Sequence, residues 1–115
     1  PFEKAPEIIK ALFDFCQTTR ILYYNFEMRA TKQDDSMLSC CHSRDAFWVD
    51  FQAKSEHMSE FFGALEDLLS PFGYRKHWAK GMDHTSPTYL MKQYPKLGDF
   101  LKVMEDFDPE AKFRN

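Results

Sequence analysis

Residues 21–31, Ile21-Leu22-Tyr23-Tyr24-Asn25-Phe26-Glu27-Met28-Arg29-Ala30-Thr31, decide the fold. The run is rich in β-branched and aromatic residues and repeats every second position. Leu22, Tyr24, Phe26 and Met28 fall on one side, and Tyr23, Asn25, Glu27 and Arg29 on the other. That period predicts a strand with one apolar and one polar face. Residues 46–53 repeat the pattern, with Phe47, Val49 and Phe51 set against Trp48, Asp50 and Gln52. Between them Lys32 to Arg44 carries Asp34, Asp35, Ser36, Ser39 and Ser43, which suits a long surface excursion.

On either side of the strands the period changes to that of a helix. Pro6 to Thr19 sets Ile8, Ile9, Leu12, Phe13 and Cys16 on one stripe, with Pro6 in the first turn, where its missing N–H costs nothing. Ser55 is placed to cap a helix striped by Met58, Phe61, Phe62, Leu65, Leu68 and Leu69, and Pro71 to Gly73 supplies the stop. Tyr74 to Asp83 has no period. Ser86 and Pro87 open a helix through Tyr94 that Pro95 must break. A last helix over Leu97, Phe100, Leu101 and Met104 closes at Asp108-Pro109. The order predicts an α+β fold: a small antiparallel sheet covered on one face by helices, followed by C-terminal helices.

With 115 residues, the chain reads as a single domain, 1–115. A domain of this size buries roughly two thirds of its unfolded-state surface and needs no metal or disulfide staple. Fifteen Lys and Arg against eighteen Asp and Glu, without a long run of one sign, argue against nucleic acid as a partner. No stretch approaches the ~20 apolar residues of a membrane span, and no signal peptide is visible. Cys16, Cys40 and Cys41 are odd in number and do not form a disulfide framework, which points to a reducing, intracellular compartment. Localisation is therefore read as cytoplasmic, with any membrane association carried by parts outside this stretch. The four glycines form no phosphate-cradling loop, so a nucleotide cofactor would be held mainly elsewhere. Because the first residue is Pro1, the chain reads as processed or as a piece of something longer.

Three groups of residues can carry chemistry. Glu27 and Arg29 share a strand face about 7 Å apart, spaced to hold one polyhydroxylated ligand between an acceptor and a two-pronged donor. The alternative is a solvated face with a surface ion pair. Trp48, Asp50 and Gln52 form the matching face of the second strand, a polar wall with an aromatic floor, or again an ordinary outward face. The segment Tyr74-Arg75-Lys76-His77-Trp78-Ala79-Lys80 packs four cationic or potentially cationic side chains and two aromatics into seven residues. It reads as an anion-seeking surface, or as an exposed basic loop with Trp78 plugging the core. Cys40-Cys41-His42 resembles a metal site in composition only, since adjacent ligands rarely share a tetrahedral ion.

A resemblance adds to this reading. His77-Trp78-Ala79-Lys80, then Met91-Lys92-Gln93-Tyr94-Pro95-Lys96, Phe100, and Asp108-Pro109 with Phe113 and Asn115 are similar to a C-terminal signature, HWxK, YP and DPxxxFxN. It belongs to the sugar-acid lactone and alditol oxidases, flavoenzymes of the vanillyl-alcohol oxidase superfamily. Upstream, Glu27-Met28-Arg29, Asp34-Asp35-Ser36-Met37-Leu38-Ser39 and Arg44-Asp45 resemble the family's E-x-R strand, DD-x-x-LS loop and GRD turn. The chain departs from the pattern at Asp50 and Gln52, where relatives often carry histidine and threonine. It departs also at Ser43 and within Glu110-Ala111, where glycine is usual.

The resemblance implies the C-terminal cap or substrate-binding part of an FAD-dependent oxidoreductase, with residues 1–73 a cap-type α+β unit and 74–115 the HWxK segment and C-terminal helices. FAD would be held mainly by a separate N-terminal domain, without which this chain would be inactive. The implied substrate is a sugar-derived lactone or polyol, oxidised at a CH–OH group. Glu27 and Arg29 would face that substrate beside Asp50 and Gln52. Lys80, with His77 close by, would lie at the cleft between flavin and substrate, which makes Lys80, Arg29 and Glu27 the expected catalytic set. A stand-alone module binding a sugar-like ligand without redox chemistry, or a structural domain, is the alternative.

Overall fold

The two alternating segments pair directly. Strands β1 (Tyr23–Thr31) and β2 (Ala46–Ala53) form an antiparallel ladder with Phe26 opposite Phe51, Glu27 opposite Asp50 and Arg29 opposite Trp48, irregular only between Tyr23 and Asn25. Directly opposed residues share a face. Asn25, Glu27 and Arg29 therefore lie beside Gln52, Asp50 and Trp48, while Phe26 and Met28 lie beside Phe51 and Val49. The computed structural model describes residues 1–20, 23–53, 55–81 and 84–113, and of residues 23, 24, 53 and 55 the backbone alone. The expected strand start at Ile21 and Leu22, and Asn115 of the C-terminal signature, lie outside the described residues.

Helices α1 (Ala5–Thr18), entered through a 3₁₀ turn at Phe2–Lys4, and α2 (Met58–Leu69) cover the apolar face. Their stripes meet in a core of Ile8, Leu12, Phe61 and Leu65, against which Phe47, Val49 and Phe51 pack. Phe61 is wholly buried and lies edge-on to Phe51, with ring centres 5.3 Å apart. Burying a side chain of this size contributes about 1.5–3 kcal/mol. The expected α+β layer is thus present, in its smallest form: two strands and one covering helical layer.

One expectation about helix starts fails. Ser55 opens a 3₁₀ turn, Ser55–His57, and α2 begins only at Met58, with His57 in the capping position and no side-chain cap bond. The tighter turn takes up the first positions of the periodic run, as short 3₁₀ pieces often do at helix ends. The Ser55 side chain itself lies outside the described residues. The stop is as read: a 3₁₀ turn, Ser70–Phe72, ends at Gly73 with φ +67°, and a Cβ there would sit 3.0 Å from Gln93 Oε1.

After the aperiodic segment come α3 (Pro87–Gln93) and α4 (Leu97–Phe107). Ser86 Oγ caps α3 by accepting from the Tyr89 N–H at 3.1 Å, and Tyr94 and Leu97 are buried at the junction between the two helices. The chain is drawn out, 48 × 33 × 21 Å, with a radius of gyration of 15.7 Å. A rounded domain of this length would measure about 13 Å. Phe107 and Phe113 stand almost fully exposed. Among the described residues neither outer edge of the β1–β2 ribbon is paired, and no helix is long and apolar enough to cross a membrane.

Candidate functional site

A cleft of about 620 Å³ runs over the polar face of the sheet and around β2. All seven residues from Ala46 to Gln52 line it, whereas among the described side chains β1 contributes only Asn25, Glu27 and Arg29. A groove that lies on the polar face and wraps the free edge of β2 has this lining. Phe62 and Leu69 of α2, with Phe72, supply its apolar surface, and the segment after α2 brings His77 and Lys80 to it. Glu27, Arg29, Asp50, Gln52, His77 and Lys80, far apart in sequence, thus share one cavity.

The order of partners on the sheet differs from the pairing drawn from spacing alone. Arg29 forms its close hydrogen-bonded ion pair with Asp50 of the neighbouring strand, while Glu27 Oε2 stays 3.8 Å from Arg29 Nη2. The ladder explains this. Asp50 stands directly across from Glu27, so Arg29 reaches it diagonally, and a long side chain spans that diagonal easily. The hydrogen bond to Asp50 raises the Arg29 pKa further above its already high value. Glu27 keeps most of its acceptor capacity for the cleft. Trp48 Nε1 donates to Thr31 Oγ1 at 2.7 Å, which fixes the indole on the same face.

His77 to Lys80 is a tight turn, closed by the Lys80 N–H donating to the His77 carbonyl at 3.1 Å. The Ala79 N–H donates to His77 Nδ1 at 3.1 Å, which leaves the ring proton on Nε2 as a free donor. The Lys80 ammonium makes no bond to another described residue. Trp78 points the other way. Its Nε1 donates to the Leu38 carbonyl at 2.8 Å and its ring packs on Tyr94 with centres 4.7 Å apart, so it is half-buried there, away from the main core.

The basic composition of this segment overstated its outward charge. Arg75 and Lys76 turn inward, and of the four cationic or potentially cationic side chains only His77 and Lys80 are exposed. The Lys76 ammonium bonds at once to Glu66, to the Gly81 carbonyl and, at 3.1 Å, to Thr85 Oγ1. One side chain therefore ties residue 76 to residue 81 and braces the turn between them. Tyr74 and Thr85 also donate to Glu66 Oε2, at 2.7 and 3.0 Å. Burial alone would raise the Glu66 carboxyl, but the hydrogen bonds from Lys76, Tyr74 and Thr85 outweigh it and hold it below the usual carboxylate range. Burial, together with the bond to Glu66, pushes the Tyr74 hydroxyl well above its ordinary value.

Sequence reasoning missed Glu66 and Lys76. A signal was present: Glu66 sits four residues after Phe62 and three before Leu69, an acid within an apolar helical stripe, and such a residue is rarely buried without a partner. The cysteines and His42 are engaged separately. Cys40 Sγ donates to the Lys76 carbonyl at 3.0 Å, Cys41 Sγ lies 3.0 Å from Thr31 Oγ1, and His42 Nδ1 lies 3.1 Å from the Ser36 carbonyl.

Several known proteins are similar to this chain in sequence. L-gulonolactone oxidase of Mus musculus is 30% identical over 123 residues, covering 100% of this chain and 28% of its own length. L-gulono-1,4-lactone dehydrogenase of Mycobacterium tuberculosis is 27% identical over 117 residues, covering 100% of this chain and 27% of its own. Alditol oxidase of a Streptomyces species is 33% identical over 91 residues, covering 77% of this chain and 22% of its own. The chain thus spans about a quarter of the length of the relatives it matches. No solved structure gives a significant match. The profile of the D-arabinono-1,4-lactone oxidase family matches residues 1–115, and the chain belongs to that family.

Proposed function

We propose that this chain is the substrate-facing part of an FAD-dependent oxidoreductase that oxidises a CH–OH group of a sugar-derived lactone or polyol. The observation that carries the reading is the shared cleft: Glu27, Arg29, Asp50 and Gln52 from the sheet, and His77 and Lys80 from the braced turn. The names of the relatives point to the same substrate class.

The residues fit the ring end of a flavin. A flat heteroaromatic system needs apolar wall, which Phe62, Leu69 and Phe72 provide, and donors at its polar edge, which the Lys80 ammonium and His77 Nε2–H provide. With only four glycines and no glycine-rich loop, the chain has no cradle for the diphosphate, whose binding falls to the part of the protein outside this chain. Bound there, the flavin supplies the acceptor for the hydrogen leaving the substrate carbon.

The chain's own residues orient and polarise the substrate. Arg29, held by Asp50, donates to the hydroxyl or lactone oxygen at the reacting carbon, and Glu27 accepts from a neighbouring hydroxyl. Gln52 offers both a donor and an acceptor to further hydroxyls. Lys80 places a fixed positive charge where negative charge develops during transfer, and the brace at Lys76 keeps it there without reorganisation. Nothing in this reading needs an oxidising compartment, and we place the protein inside the cell.

The deciding experiment supplies FAD and a panel of aldonolactones and alditols to this chain alone and to the full-length protein. Turnover is expected only from the full-length protein, and turnover by the chain alone would overturn this division of labour. In the full-length protein, Arg29→Ala and Lys80→Ala are expected to slow flavin reduction with the flavin still bound. Unchanged reduction in both would sink the assignment of the site.

A further inference from the structure

Two guanidinium groups in the cleft have no carboxylate partner among the described residues. Arg44, just before β2, and Arg75, just after Tyr74, both line it and are both about half-buried. Their bonds run to neutral carbonyls. Arg75 donates from Nε to Gln93 at 2.7 Å and from Nη1 to His42 and Cys40 at 2.8 and 3.2 Å, and its guanidinium lies 5.4 Å from the centre of the Tyr94 ring. Arg44 donates from Nη1 to Gly73 at 2.9 Å, and its Nε is shut off from solvent with no partner. Neither makes an ion pair with a described residue, and Nη2 of each makes no hydrogen bond to one.

Carbonyls satisfy N–H groups but leave the charge in place. Burial works against both charged forms, and the charge on Arg75 lowers the Arg44 pKa further. The field of Asp34 favours the charge on Arg75, but that carboxylate is already taken up by the Ser36 N–H and by Ser39 Oγ at 2.9 and 2.6 Å. Two adjacent like charges are rarely half-buried in a folded protein without a counter-charge. The cleft also has room, since its 620 Å³ is in the range that houses drug-sized ligands rather than a lone sugar ring.

We propose that Arg44 and Arg75 form an oxyanion subsite of the cleft, one that takes the carboxylate or phosphate group of a small molecule. Two guanidinium groups lining one cleft, each with an Nη2 bonded to no described residue, are the kind of donor that binds such a group, and an anion there offsets their repulsion. The subsite stands independently of the redox reading, because it rests on a different pair of residues and is measured by binding alone.

The test is isothermal titration of inorganic phosphate, and separately of acetate, into the full-length protein at low ionic strength. Saturable binding at one site is expected with at least one of the two probes, weakened at least tenfold in Arg44→Met. Arg44→Lys keeps the charge but loses the fork, and is expected to weaken binding about threefold or more. Lys10→Ala, on the exposed face of α1, is expected to bind as wild type. If Arg44→Met does not fold, the Arg44→Lys comparison decides. No saturable binding of either probe overturns the proposal, as it would if an acidic side chain elsewhere in the full-length protein filled the pair. Binding undiminished in the Arg44 variants overturns it equally.

Discussion

The hydroxyl of Tyr94 and the backbone of Lys76 are joined twice: the Lys76 N–H donates to Tyr94 Oη at 3.1 Å, and Tyr94 Oη donates to the Lys76 carbonyl at 3.0 Å. The end of α3 and the turn bearing His77 and Lys80 are thereby fastened at one atom. Tyr94→Phe leaves the Lys76 N–H without its partner, and is expected to cost about 1–3 kcal/mol of stability. Thermal unfolding measures that cost. In the full-length protein, stopped-flow flavin reduction is expected to slow more than flavin affinity falls, because the turn is loosened rather than removed.

The Glu66–Lys76 cluster gives stability a defined pH dependence. The Glu66 carboxyl titrates below its unfolded value, so its contribution is fully present above that value, near 4.5, and is lost as pH falls through the lower folded value. Glu66→Gln removes this dependence and leaves Lys76 as a buried, unpaired charge. The expected loss near neutral pH is about 3 kcal/mol. Denaturant unfolding of both proteins from pH 7 to pH 3 should show the two stabilities converging at the acid end.

Asp50 holds Arg29 on the sheet face, and both side chains remain open to solvent. Asp50→Asn keeps the shape and drops the charge, so Arg29 is free to swing toward Glu27. For the full-length protein the expected result is a KM for lactone or alditol raised about fivefold with kcat less affected, the sign of a lost positioning contact at an exposed pair. Steady-state kinetics across the substrate panel checks the split.

Ser43 and Ala111 adopt φ of +57° and +55°, at the two places where the family resemblance leads one to expect glycine. The left-handed conformation costs a residue with a Cβ roughly 1–2 kcal/mol, partly offset by the greater unfolded-state freedom of glycine. Ser43→Gly and Ala111→Gly are each expected to stabilise the protein by about 0.5–1 kcal/mol. Chemical denaturation midpoints measure the gain.

How much of this was legible follows from what each signal depends on. The strands could be read because a period of two survives without knowledge of neighbours, and the register then placed Glu27, Arg29, Asp50 and Gln52 on one face. The α3 start could be read because Ser86 caps its own helix locally. Two features depend instead on contacts between distant segments, and a third on a local turn. Spacing tied Arg29 to Glu27, and only the ladder shows Asp50 as the nearer partner. Composition counted Arg75 and Lys76 as surface charge, because nothing local says that Glu66 and three backbone carbonyls lie beneath them. Ser55 carried the right chemistry for a cap, and a 3₁₀ turn took its place.

The two-stranded ribbon has a consequence outside catalysis. Each outer edge offers a row of backbone donors and acceptors with no strand among the described residues paired to it, and a lone pair of strands is only marginally stable in water. Detached from the remainder of the polypeptide, this segment is a template for its own kind. Copies would add strand to strand, with Phe26 and Met28 stacking along the growing stack. Any segment that covers these edges therefore also acts as a safeguard against polymerisation.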